Sequence, residues 1–188
     1  MPSIIEYQVV LDRLTAEGLE CHYYNGGSFG FGAAAEVRGW IGPPDGTIKP
    51  ELAKFTRSVP EPFAANLAEL AARAWHDLLP GNVWVMPGSH WSYELNYGSR
   101  DWLPGLLGGC GIDCGLLIGR SNAAAIEFVP GEEAGFEDFV RGLLAGLSVS
   151  DFALAFPGRG TTCTIHHHKQ LWWITNNQQL ALQLDGIA

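Results

Sequence analysis

Thr161 to Thr175, TTCTIHHHKQLWWIT, decides how the second half of this chain folds. β-Branched and aromatic residues flank a polar centre, which predicts two strands, 161–168 and 171–175. Just upstream, residues 151–156 (DFALAF) form a short apolar run, and Pro157-Gly158-Arg159-Gly160 reads as a turn. Together the three segments predict an antiparallel meander. Side chains alternate along an extended strand, so Cys163, Ile165 and His167 are expected on one face and Thr164, His166 and His168 on the other. Trp172 and Trp173 then point in opposite directions. One belongs in the core and the other stands beside the histidines or covers a partner surface.

Working outward, three segments carry a helical apolar stripe. Residues 4–17 place Ile4, Tyr7, Leu11 and Leu14 on one side. In 61–79 the stripe runs from Phe63 through Leu67, Leu70 and Ala74 to Leu78, with Ser58 and Glu61 as a capping box. In 132–147 it runs from Phe136 to Leu147. Residues 19–25, 34–41, 82–86 and 123–129 read as strands. His90 to Tyr97 alternates so regularly that it predicts a strand paired with 82–86. Residues 42–57, with three prolines, read as a surface loop. A short helix over 101–107 capped by Ser99, one helical turn after Asp113 and a weak helix over 178–185 complete the chain.

These elements predict an α+β fold in one globular domain, residues 1–188. Its antiparallel or mixed sheet has about seven or eight strands, with the helices packed on one face. The opposite face is expected to form a concave polar surface.

Composition narrows the function classes. A net charge of −9 with three lysines excludes a nucleic-acid or anionic-membrane surface, since both need clustered cations. Residues 106–119 form an apolar run broken by Asp113 and five glycines, which is no membrane span. The first residues lack a basic leader, so a cytoplasmic protein with four reduced cysteines is expected. Cys110 and Cys114 have three residues between them rather than the two of a zinc knuckle. The Gly26–Gly32 segment lacks the lysine and the following helix of a phosphate-binding loop. It predicts a hairpin loop that exposes Phe29 and Phe31.

The chemistry-bearing residues are the histidines. Residues i and i+2 of a strand stand about 7 Å apart on one face, so His166 and His168 can ligate one divalent ion such as zinc. A third ligand is expected from His90 or Glu94 on the predicted 90–97 strand, with Glu127 and His22 in reserve. Arg100 or Arg159 would hold an anionic ligand, and Trp172 would line the pocket. His167, aimed at the apolar side, is expected to be buried. Ser89, Ser92 and Thr164 sit in no nucleophile motif.

Three function classes follow. The first is a small-ligand or metal-ion binding protein, open to hydrolytic chemistry, using the polar sheet face. The second is an acidic protein-interaction module using the 26–32 loop and an exposed tryptophan. The third is a structural domain whose imidazoles only satisfy hydrogen bonds.

Overall fold

The order of the strands across the main sheet is set by long-range pairing rather than by chain order. The computed structural model describes residues 2–24, 28–33, 36–43, 53–120 and 122–187. The described elements begin with β1 (Ser3–Glu6), α1 (Tyr7–Ala16), β2 (Leu19–Tyr24), β3 (Ser28–Ala33), β4 (Val37–Gly42) and β5 (Phe55–Ser58). Next come α2 (Phe63–Arg73), which widens into a π-turn over Ala74–Leu78, and β6 (Val83–Pro87). A short α3 (Trp91–Tyr93) also runs into a π-turn, Glu94–Gly98. The chain continues through α4 (Leu103–Gly109), α5 (Cys114–Gly119), β7 (Ala123–Phe128), α6 (Glu133–Gly146), β8 (Phe152–Phe156), β9 (Thr161–His166), β10 (Gln170–Thr175) and α7 (Gln178–Gly186).

Eight strands form one mixed sheet in the order β1-β7-β6-β8-β9-β10-β4-β5, and β2 pairs with β3 in a small sheet of its own. Only the β4–β5 pair is parallel among these neighbours. The α+β class and the eight-strand count agree with the sequence. The meander β8-β9-β10 also forms as the alternation dictates, with Phe156 opposite Thr161 and Thr161 opposite Thr175. The last two are joined by a 2.9 Å hydroxyl hydrogen bond.

The strands alternate between two cores. Phe152, Leu154, Phe156, Cys163, Ile165, Leu171 and Trp173 enter the larger one, under α2, α4, α6 and α7. Phe136, Phe139, Val140, Leu143 and Leu144 of α6 are completely buried there, each worth about 1.5–3 kcal/mol of removed apolar surface. Trp84, Met86, Ala153 and Ala155 face the other way, against Val10 and Leu14 of α1, Leu19 of β2 and Phe29 of β3.

Several expectations are corrected by this arrangement. Helix α1 does not share a face with α2 and α6. Together with the β2–β3 hairpin it covers part of the face expected to be open and polar. Its stripe begins only at Tyr7, because Ser3–Glu6 is a strand pairing with β7. The 26–32 loop is already strand by Ser28. Phe29 is buried rather than exposed, and stacks on the half-buried Phe31; Gly26 and Gly27 lie outside the described residues. Within 42–57 the end of the segment is the edge strand β5. It can dock because residue 39 is glycine: a Cβ there would lie 2.2 Å from the Phe55 ring. The Ser58–Glu61 capping box does not form, since Ser58 belongs to β5 and α2 starts after Pro62 with no side-chain cap. Ser99 likewise caps no helix; its hydroxyl turns to Glu94.

The largest departure is residues 90–97, which are helical. Trp91 and Leu95 are buried while Tyr93 and Tyr97 are exposed, the four-residue spacing of a helix face. Apolar residues at every second position satisfy both periods, and the His90 side chain tips the balance by capping α3. Its Nδ1 accepts the Tyr93 amide at 3.1 Å. Residues 90–97 are therefore absent from the sheet, and His90 and Glu94 do not share a sheet face with His166 and His168.

Candidate functional site

Strand β9 ends at His166, one residue before the alternation would have buried His167. Residues 166–169 turn, with the Lys169 amide donating to the His166 carbonyl at 3.0 Å. Lys169 holds φ at +61°, the left-handed conformation that closes such a turn at some strain for a side-chain-bearing residue. Its ammonium compensates by donating to the carbonyls of Leu144 and Leu147 at the end of α6. Cations are favoured at helix C-termini, and burial pulls the Lys169 ammonium below the usual lysine range.

The turn gathers all three imidazoles instead of separating them. His167 stacks on His166 with ring centroids 4.2 Å apart, and His168 meets the two rings steeply at 4.9 and 4.5 Å. One nitrogen from each ring lies within 4.8 Å of the others. Trp172 closes the sheet side, stacked on His166 at 5.0 Å. Its indole N–H donates to Gln170 Oε1 at 2.9 Å. His166 and His167 are half-buried and His168 is exposed, so the cluster opens to the surface.

Asp151 supplies the polar back wall. One step beyond the Phe152–Ile165 pair, it lies level with His166. Its Oδ1 accepts the His167 amide at 2.9 Å and is 2.8 Å from His167 Nδ1. Oδ2 is 3.9 Å from His166 Nε2. The main chain of Asp151 is fixed as well, its carbonyl accepting the Gly88 amide at 2.7 Å. Neither Asp151 nor Lys169 was singled out from the sequence. For Asp151 the signal was present, because a hairpin centred on 157–160 places residue 151 opposite 166.

The remaining candidates are placed elsewhere. Glu94 is completely buried, accepting the hydroxyls of Ser89 at 2.5 Å and Ser99 at 2.8 Å. Arg159 donates through Nε and Nη2 to the Pro80 carbonyl. Arg100 is exposed beside Asp101. Glu127 is saturated by Ser3, Asn82 and Trp84, and His22 lies on β2. Of the predicted set, then, His166, His168 and Trp172 come together, joined by His167, which had been assigned to the core.

The four cysteines are free. Two clefts bounded by described residues lie apart from the histidines. One of about 270 Å³ is lined by Phe55, Ala181 and Leu182, and another of about 360 Å³ by Arg13, Asn82 and Trp84. No helix among the described residues is long and apolar enough to cross a membrane. Compared with known proteins, the chain matches no family model, no curated protein and no solved structure.

Proposed function

We propose that this chain binds a transition-metal ion of the zinc class through His166, His167 and His168, and leaves a coordination position open at the protein surface. The observation that carries the reading is the convergence of three imidazole nitrogens within 4.8 Å. Imidazole suits zinc, copper and nickel, whereas calcium and magnesium prefer oxygen. Around zinc, ligand nitrogens sit 2.0–2.1 Å from the ion, hence about 3.3 Å from each other in a tetrahedron. The turn must therefore contract by on the order of 1 Å, a side-chain adjustment. Three protein ligands with a fourth position for water or a small ligand is the pattern of exchangeable sites rather than of closed structural ones.

Asp151 supports the reading as the outer carboxylate that metal-binding histidines commonly carry. A small-ligand role would operate at the open position. Four unpaired thiols suit a reducing, cytoplasmic setting.

The test is metal content and zinc titration of untagged protein. Stoichiometric zinc, lost in a protein carrying His166→Gln, His167→Gln and His168→Gln together, supports the site. Uptake below about a tenth of an equivalent, or uptake unchanged in the triple variant, rejects it.

A further inference from the structure

Asp151 meets two different nitrogens of two neighbouring rings. A carboxylate only accepts, so the 2.8 Å approach of His167 Nδ1 to Oδ1 requires the proton on that nitrogen. In the neutral ring Nε2 then keeps its lone pair. His166 shows the reverse arrangement. Its Nδ1 receives the backbone N–H of His168 at 3.2 Å and so carries no proton. The ring proton belongs on Nε2, the nitrogen 3.9 Å from Asp151 Oδ2.

We infer that Asp151 is the positioning residue that makes His167 bind the ion through Nε2, while the His168 amide keeps His166 Nδ1 unprotonated as the ligand atom of that ring. The assignment of ligand atoms rests on the metal-binding reading above; the assignment of ring protons does not. The two rings stack within 29° of parallel. Asp151 Oδ1 holds the His167 proton, Oδ2 stands 3.9 Å from His166 Nε2, beyond hydrogen-bond reach, and both lone pairs face away from the carboxylate. His168, standing at 85° and 73° to the stacked pair, completes the seat. Asp151 is no member of the three-residue cluster itself. It orients His167 by a hydrogen bond, as outer carboxylates do, and its second oxygen faces the protonated nitrogen of His166 at 3.9 Å. The His168 amide also marks a consequence, since it occupies the lone pair that His166 must give to the ion. His166 joins only when that hydrogen bond opens, and His167 is the ligand ready at the outset.

The experiment is nitrogen-15 NMR of the histidine rings, in the parent and in Asp151→Ala, at about pH 8, above the ordinary imidazole range. Metal-free and zinc-loaded samples are compared, with zinc affinity measured in parallel. The metal-free parent is expected to show the Nδ1–H tautomer at His167 and the Nε2–H tautomer at His166. Zinc should shift His167 Nε2 and His166 Nδ1. Asp151→Ala, which leaves no acceptor, should erase the His167 preference and weaken zinc binding about 10–100-fold. An Nε2–H tautomer at His167 in the metal-free parent overturns the inference. So does zinc shifting His167 Nδ1, which would make Asp151 a direct neighbour of the ion, and so does an Asp151→Ala protein with an unchanged His167 tautomer. If the parent takes up no zinc, the metal-binding reading falls and the ligand-atom assignment falls with it. The metal-free tautomers still decide whether Asp151 holds the His167 ring proton, and need no variant to fold.

Discussion

The ammonium of Lys169 lies 3.3 Å from the backbone carbonyl of Leu147, which fastens the histidine turn to the end of α6. A cation on unpaired helix carbonyls stabilises them by hydrogen bonding and by the helix dipole. Lys169→Met keeps the aliphatic stem and removes only this contact, so it should cost about 1–2 kcal/mol. Lys169→Gly removes the contact but relieves the left-handed backbone, worth about 1 kcal/mol in return. Urea unfolding of the two variants should therefore rank methionine as the less stable. The opposite ranking would mean that the relieved strain is smaller than glycine's added unfolded-state entropy and the lost packing of the aliphatic stem.

Zinc should stabilise the native chain. An ion that binds only the folded state adds about 2.7 kcal/mol at a hundredfold excess over its Kd. For a chain of this size that is about 5–10 °C in Tm. Thermal unfolding with zinc, and again after a chelator, measures it. His167→Gln should abolish most of the shift and His166→Gln a smaller part, because the His166 lone pair is already engaged by the His168 amide.

Glu94 is expected to matter for stability and not for the ion. Its carboxylate is wholly buried and held by the Ser89 and Ser99 hydroxyls. Glu94→Ala leaves a void and two buried hydroxyls without their acceptor, at a cost of about 2–4 kcal/mol. Glu94→Gln keeps the volume and one acceptor and should lose less. Zinc affinity of the glutamine variant should stay within about twofold of the parent, since Glu94 lies outside the imidazole cluster. A tenfold loss in the titration would return Glu94 to the ligand set.

The thiols should react in order of burial. Thiolate is the reactive form, and burial pushes all four thiols upward: Cys163 furthest, Cys21 from its ordinary 9.0 to about 11, Cys110 and Cys114 less. At about pH 8, above which ordinary thiols ionise, alkylation followed by mass spectrometry should label Cys114 first. Its own amide at the start of α5 favours the thiolate. Cys163 should stay unlabelled until the chain unfolds. The same shift fixes a pH trend. Between 9.0 and about 11 the native Cys21 keeps a proton that the unfolded chain has lost. Stability therefore falls as pH rises through that window. Cys21→Ala should flatten the fall, by on the order of 1 kcal/mol once the partial exposure of this thiol is discounted.

How much of this was legible in the residues depends on whether one period or two fitted them. α2 and α6 carry stripes that only a helix satisfies, and both formed within about two residues of expectation once the π-turn that extends α2 is included. The meander was legible because its turn residues fix the register, so Trp173 is core and Trp172 stands beside His166. Trp91, Tyr93, Leu95 and Tyr97 fitted both periods, and a cap supplied by His90 decided for the helix. The candidate site was half legible. His166 and His168 do lie together, but through a turn that also gathers His167, because the strand stops two residues early. Lys169 closes that turn, and its partner carbonyls lie at the end of α6, 22–25 residues earlier in the chain. No local pattern reveals a contact of that range.

The strand order also dictates a timetable for synthesis. β1 pairs with β7, and β4 pairs with β10, so both margins of the sheet are made early and their partners late. On the ribosome, Ser3–Glu6 must wait for Ala123–Phe128 to emerge. Val37–Gly42 and the β5 strand beyond it must wait for Gln170–Thr175, which is translated long after them. Until then their backbone edges stand open, the condition in which nascent chains mispair or recruit chaperones. Closing loops this long before the contacts reward them makes folding slow. The Trp172–Trp173 strand, which emerges long after Val37–Gly42 and Phe55–Ser58, is what commits both of them to the sheet.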